Sequence, residues 1–301
     1  MSIQVSIFHY SPDPTLNNPY VTWKGQVANN FIFNDILVMQ VKSIRALTDI
    51  PYHLSIIDNE MHPTARADLE KRLPGVEIIS VPKHERLNGP AGINGCILNN
   101  KCDYLVILST DVLVTWNWLS TWLAHVKNAE AKYGVPCAVS PDRLLLYPKN
   151  EASIVGYTLE ELLKGDLNVP WKPWNNIPVA ISTVGTLYDR GNELGFYMAH
   201  RSFWEEVGLH DEAMISTMDG IDMGLRALRT RCRHLLGGGL FLHHVSGLHG
   251  NVGCRLYRSK DGNWDGCAEF IAKWGLEMRW KVIYGTAWIE LHQEQQARTG
   301  K

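Results

Sequence analysis

The stretch Tyr104-Leu-Val-Ile-Leu-Ser-Thr-Asp111 opens with five apolar residues and closes on three polar ones. An apolar run of strand length fits a strand covered on both faces, the central strand of a parallel sheet. On its N-terminal side, strand-like and helix-like segments alternate. Val5 to Phe8 reads as a strand, and Leu37, Val41 and Ile44 then recur on one helical face, with Asn34 as a candidate cap. His53 to Ile57 is the next strand, ending at Asp58; Thr64 to Leu73 is a polar helix and Val76 to Val81 a third strand. A Gly/Pro/Asn loop leads into a helix from about Pro90 to Asn99. Such alternation predicts parallel βαβ units in a mostly parallel, doubly wound α/β sheet with helices on both faces.

From about Asp142 to Pro178 the pattern breaks into a Pro-, Trp- and Asn-rich segment (Pro170 to Asn176) with one short helix near Leu159–Leu163. Order returns with a strand at Phe196–Ala199, a helix at Ser202–Val207, a helix starting near Asp219 and a strand at Leu240–His243. Two further helical stretches lie near Asp265–Trp274 and Thr286–Gln295. The 301 residues carry a net charge of −2 and are 45% hydrophobic, which excludes a disordered chain and argues against a broadly basic nucleic-acid coat. No apolar run reaches membrane-spanning length, and the N-terminus lacks the basic start and apolar core of a secretory signal. The six cysteines (Cys96, Cys102, Cys137, Cys232, Cys254, Cys267) form no CxxC pair, which points to reduced thiols and a cytoplasmic protein.

Ligands of such sheets sit beyond the carboxyl ends of the strands. His9-Tyr10, Asp58-Asn59 and Ser109-Thr110-Asp111 are therefore the first candidates. Asp111, at a buried strand end, needs a cation or hydrogen bonds to offset its desolvation. A divalent cation on a diphosphate would supply one, and an Asx turn is the plainer alternative. Asp58-Asn59 is either a reader of a nucleobase edge or an ordinary turn. Asp219 and Asp222 share a face in the first turn of a helix, where the macrodipole alone favours acids; one of them could also act as a general base. His243 and His244 end a strand on opposite faces, so one of them, not both, would complete a metal shell. Arg226, Arg229, Arg231, Arg233 and His234 form a basic run, read first as a solvated helix face and second as a phosphate-binding patch. Arg255, Arg258 and Lys260 follow in a glycine-bearing loop suited to a lid over phosphates.

Taken together, these pieces resemble the family 2 glycosyltransferases of GT-A fold. Ser55-Ile-Ile-Asp58-Asn59 is similar to the family's "vvDN", and Asn88-Gly-Pro-Ala-Gly-Ile-Asn94 to "NxGfaxaxN". Leu105-Val-Ile-Leu-Ser-Thr-Asp111 resembles "llLNpD", with Ser109 in place of the first acid. Gly195 to Glu212 resembles "gafmlirRevfeevGgFDE"; Met218 to Arg226 resembles "wEDvDlclR", with Asp219 on the Glu and Gly220 on the first Asp; Phe270 to Gly275 resembles "fxxKWG". The resemblance implies a GT-A domain over 1–275, split into a nucleotide-sugar half (1–140) and an acceptor and catalytic half (141–275), with a helical extension over 276–301. It also implies an inverting transfer from a nucleotide-diphosphate sugar, with Tyr10, Asp58, Asn59, Asn94, Thr110 and Arg255 toward the donor. Asp111 with His243 or His244 would hold Mn2+ or Mg2+, and Asp219 would be the base with Asp222 in reserve. The expected acceptor is a saccharide or glycoconjugate, and a hydroxymethylated base in phage-type DNA is the alternative. The Ser109 and Gly220 departures motivate a different class of reading, an inactive GT-A binding module. A nucleotidyltransferase ranks last, for want of a phosphate loop near the first strand.

Overall fold

The computed structural model describes residues 1–11, 22–23, 26–27, 32–82, 88–110, 112–114, 117–145, 153–154, 157–158, 188–189, 196–215, 218–244, 266–283 and 286–299. In chain order the main elements are β1 (Ile3–His9), the short pair β2 (Thr22–Trp23) and β3 (Gln26–Val27), α1 (Ile32–Leu47), β4 (His53–Asp58), α2 (Pro63–Arg72), β5 (Glu77–Ser80), α3 (Gly89–Leu98) and β6 (Tyr104–Ser109). Then come β7 (Val112–Leu113), α4 (Trp118–Tyr133), β8 (Cys137–Leu145), the pair β9 (Ser153–Ile154) and β10 (Tyr157–Thr158), β11 (Tyr188–Asp189), β12 (Tyr197–His200), α5 (Arg201–Val207) and α6 (Asp219–Arg229). The chain closes with β13 (Arg233–His244), α7 (Cys267–Trp274), α8 (Leu276–Ile283) and α9 (Thr286–Thr299).

Nine of the described strands form one sheet in the order β11-β13-β8-β12-β6-β1-β4-β5, with β7 paired to β13. β5, β4, β1 and β6 run parallel, β12 is reversed between β6 and β8, and β13 runs parallel to β8. Six strands thus share one direction, which is the mostly parallel doubly wound α/β sheet expected. Its alternating residues enter two cores. Tyr104, Val106 and Leu108 of β6 face the core of α1 and α4, where Trp118 and Trp122 are fully buried. Leu105 and Ile107 face the core built by α3, α5 and α6. Burying such side chains stabilises by roughly 1.5–3 kcal/mol each, so β6 is anchored from both faces.

Some expectations are corrected. Asn34 lies inside α1 and is no cap; it donates to Ala65 O (2.8 Å) and Asp68 Oδ2 (2.9 Å), tying α1 to α2. The basic run is a solvated face at Arg229 and Arg231, which are exposed, and not at Arg226, Arg233 and His234. Arg226 binds Asp222, Arg231 binds Glu206, Arg229 lies 4.2 Å from the Trp274 ring centroid, and Arg233 is a buried strand residue 4.1 Å from the Tyr133 centroid. The tail is helical in α8 and α9, and Ala287 and Leu291 of α9 are buried with Ile221, Leu225 and Leu228 of α6. The expected short helix near 159–163, the Pro170–Asn176 segment and the Arg255–Lys260 loop lie outside the described residues.

Candidate functional site

At the carboxyl ends of β1, β4 and β6 the polar residues are buried and mutually engaged. His9 Nδ1 meets Thr110 Oγ1 at 2.8 Å and its Nε2 meets Asn34 Oδ1 at 3.2 Å. Asn34 spends its amide hydrogens on Ala65 and Asp68, so its oxygen accepts and His9 Nε2 carries the proton, assigned from this network. Thr110 is thereby a brace between strand ends, and Tyr10 packs edge-on against Phe33. Burial, with Glu60 adding its charge, raises the Tyr10 phenol above its ordinary pKa.

Asp58 closes an Asx turn: Oδ1 accepts from Met61 N–H at 2.7 Å, and Oδ2 accepts from Arg66 Nη1 at 2.7 Å and Ser80 Oγ at 3.3 Å. Its neighbour Asn59 donates to Asn88 O at 3.1 Å, while the buried Asn59 Oδ1 has no partner among the described residues. A buried acceptor left unpaired costs about 1–3 kcal/mol, which a donor group of a ligand would recover. Gly92 makes this packing feasible, because a Cβ there would stand 2.9 Å from Asn59 Nδ2.

Asn88 caps α3 through Ala91 N–H (2.9 Å) and also donates to Glu212 O at 2.9 Å. Asn94, one helical face further on, accepts from His210 N–H at 2.8 Å and donates to His210 O at 3.0 Å and Glu212 Oε1 at 2.8 Å. Its amide is spent on the 210–212 segment, so in this structure Asn94 organises the loop before α6. The carboxyl ends of these strands and the start of α6 are thus joined through Asn59, Asn88, Asn94 and His210.

Met218 has φ 69°, a left-handed conformation that costs a non-glycine residue roughly 1–2 kcal/mol, and it delivers Asp219 to the first position of α6. Asp219 Oδ2 lies 2.9 Å from His210 Nδ1, and its side chain is 14% exposed. Among the described residues no other hydrogen bond reaches this carboxylate. Asp222 differs in every respect. It is fully buried, with Oδ2 taking Arg226 Nε at 2.8 Å and Oδ1 taking Trp274 Nε1 and Lys273 Nζ at 2.8 Å each. Lys273 also reaches Asp211 Oδ2 at 2.8 Å, and that contact lowers the Asp211 pKa. The remaining guanidinium nitrogens of Arg226 donate to Val207 O and, at 2.7 Å, to Leu209 O, which fixes the chain leading into His210.

Asp111 and Arg255 lie outside the described residues. His243 and His244 are placed by backbone only: they pair with Leu113 and Val112, so the end of β13 runs beside the residue that follows Asp111 in sequence. Among the described residues no group of three or more His, Cys, Asp or Glu is placed to hold a metal, and no helix is long and apolar enough to cross a membrane.

His210 was not singled out by the sequence reading. The signal was present: His210 stands in the segment similar to "GgFDE" where the pattern has Phe, and a polar ring on an otherwise apolar position asks for partners.

No family model and no curated protein matches the chain. Among solved structures it is similar to a mannosyltransferase from Pyrobaculum calidifontis in complex with GDP-Man and Mn2+, at 13% identity and a TM-score of 0.48, over 99% of this chain and 74% of that one. It is also similar to S. aureus TarS, at 6% identity and a TM-score of 0.46, over 84% of this chain and 38% of that one. A TarS fragment in complex with UDP gives 8% identity and a TM-score of 0.46, over 84% of this chain and 62% of that one. The chain therefore spans well under two thirds of the length of full TarS.

Proposed function

We propose that this chain is an inverting glycosyltransferase of GT-A fold that moves a sugar from a nucleotide diphosphate to an acceptor hydroxyl, with Asp219 as the general base. The observation that carries this reading is the contrast between the two carboxylates of α6. One oxygen of Asp219 is held by His210 and its side chain reaches solvent, whereas Asp222 is enclosed and saturated. A base must reach the proton that it abstracts, so the catalytic role falls to Asp219 and the structural one to Asp222.

Asn59, with its unpartnered buried oxygen beside the Asp58 turn, would recognise donor N–H or O–H groups of the nucleoside. Asp111 and one of His243 and His244 would hold Mn2+ or Mg2+, which when bound neutralises charge on the departing diphosphate. Asp219 then takes the proton of the acceptor hydroxyl as that oxygen approaches the anomeric carbon. A saccharide or glycoconjugate acceptor is preferred over modified DNA, because the net charge is −2 and Arg226 and Arg233 of the cationic run are held in internal contacts. The cysteines Cys96, Cys102, Cys232 and Cys267 are free, which supports a reducing, cytoplasmic setting.

The test is calorimetry of the protein against a panel of nucleotide sugars with and without Mn2+, coupled to mass spectrometry for turnover. Metal-dependent binding of one donor with hydrolysis or transfer supports the proposal, and Asp219→Asn should then keep donor affinity and lose turnover. Binding without turnover across an acceptor screen would favour an inactive binding module. Binding of no donor would overturn both.

A further inference from the structure

We infer that His210 is a positioning residue for Asp219, locked by a buried hydrogen-bonded chain that runs from Trp204 through Tyr197; the inference rests on the reading of Asp219 as the base. Trp204 Nε1 can only donate, and it lies 3.1 Å from Tyr197 Oη, which therefore accepts. The single hydrogen of Tyr197 then goes to His210 Nε2 at 2.8 Å. With Nε2 accepting, the ring proton sits on Nδ1 and is donated to Asp219 Oδ2 at 2.9 Å. The Asp219 carboxylate can only accept, so Nδ1 carries the proton of the neutral ring and Nε2 accepts from Tyr197, whose oxygen takes the Trp204 N–H.

The chain is buried: Tyr197 is fully enclosed, His210 is 3% exposed and Trp204 6%. Burial holds the Tyr197 phenol far above its ordinary pKa, so it remains a donor at any working pH. The backbone of His210 is clamped on both sides by Asn94, and Arg226 holds the carbonyl of Leu209. The imidazole cannot turn without unpairing Tyr197, Asp219 or both. A purely packing role would be met equally by the Phe of the similar segment, which would leave Asp219 without a donor.

The consequence is an assignment of the two carboxylate oxygens. Oδ2 is the anchored one, and Oδ1 receives the acceptor's proton. As it does, the hydroxyl oxygen uses its electron pair to bond the anomeric carbon. The bond from that carbon to the diphosphate breaks, and its electrons leave on the nucleoside diphosphate. The protonated Asp219 returns its proton to water.

Two measurements on the full chain test this. In protein labelled with 15N-histidine, a long-range 1H–15N correlation should show His210 with its proton on Nδ1; a proton on Nε2 overturns the assignment. Kinetics are then read on the nucleotide sugar selected by calorimetry. His210→Phe should lower kcat about 10–100-fold, the range typical of groups that orient a reacting side chain, with KM and donor affinity little changed. His210→Asn, whose amide can still donate toward Asp219, should recover most of that loss. In an Asp219→Asn background His210→Phe should cost no further activity, since residues acting as a unit are not additive. If Asp219→Asn abolishes turnover but His210→Phe keeps the native kcat, or if His210→Phe raises KM instead, the positioning role falls and the base survives. If Asp219→Asn keeps full turnover, the functional reading falls and this inference falls with it.

Discussion

Asp222→Asn separates the two carboxylates of α6 by their energetics. The substitution is isosteric, and the amide oxygen can still accept the Trp274 N–H now 2.8 Å from Oδ1. The amide nitrogen, however, would face Arg226 Nε, which now donates to Oδ2 at 2.8 Å. A charge-assisted hydrogen bond is lost, about 1.5–3 kcal/mol, and two donors are set against each other inside a fully buried pocket. Lys273 is 35% exposed, so its share is screened and adds at most about 1 kcal/mol. The total is about 3 kcal/mol, at the lower end of what breaking one side of a buried ion pair costs. At roughly 2–4 °C per kcal/mol for a large domain, the midpoint should fall by about 6–12 °C. Asp219→Asn, at a partly exposed side chain with one hydrogen bond, should cost about 1 kcal/mol. Thermal and urea unfolding followed by circular dichroism reads both variants. If Asp222→Asn unfolds with the wild type and is nevertheless inactive, Asp222 is the catalytic acid–base group and the division drawn here is wrong.

Burial lowers the His234 pKa to about 3, so the folded protein keeps this ring neutral where the unfolded chain protonates it. Stability contributed by the site is present above the unfolded value near 6.5 and declines as pH falls toward 3, by about 2 kcal/mol at pH 5. The urea unfolding free energy of His234→Gln should therefore fall less steeply than that of the wild type between pH 8 and 5, and parallel curves would refute the account. Gly95→Ala should destabilise by about 1–3 kcal/mol despite the better helix former, because the new Cβ would stand 2.7 Å from Ile57 Cγ2 and closer still to Val81 Cγ1. Chemical denaturation reads that loss, and a stabilised variant would show that α3 can move off the sheet. Asp111→Asn should remove the Mn2+ dependence of donor binding in calorimetry; unchanged metal dependence removes Asp111 from the metal site.

The parallel half was legible because β6 is apolar on both faces from Tyr104 to Leu108, and because β1, β4 and β6 each end on a polar turn. β8 escaped notice because Pro141 and Asp142 interrupt its apolar run. The sheet accommodates them where β13 shifts register between Gly237 and Phe241, an irregularity that one strand's sequence does not announce. α8 has only eight residues and leaves Leu276 and Trp280 exposed, so it carries little apolar periodicity. Within the candidate site, the pair Asp219 and Asp222 was visible as a helix-start motif, but their roles were not. Those depend on Lys273 and Trp274 some fifty residues away, and on a histidine whose partners Tyr197 and Asn94 come from other elements.

The bonds around Asp222 also define what can be exchanged. A segment containing α5 and α6, moved into a related chain to change its acceptor, would carry a buried carboxylate away from the lysine and tryptophan that complete it, and from Gln295, which donates to the carbonyls of Thr230 and Cys232 at 3.1 Å each. Asp222, Lys273 and Trp274 should accordingly change as a set across homologues, while Asp219 can vary independently of them. A functional chimera of this scaffold must inherit everything from Tyr197 to Gln295 as one recombination block.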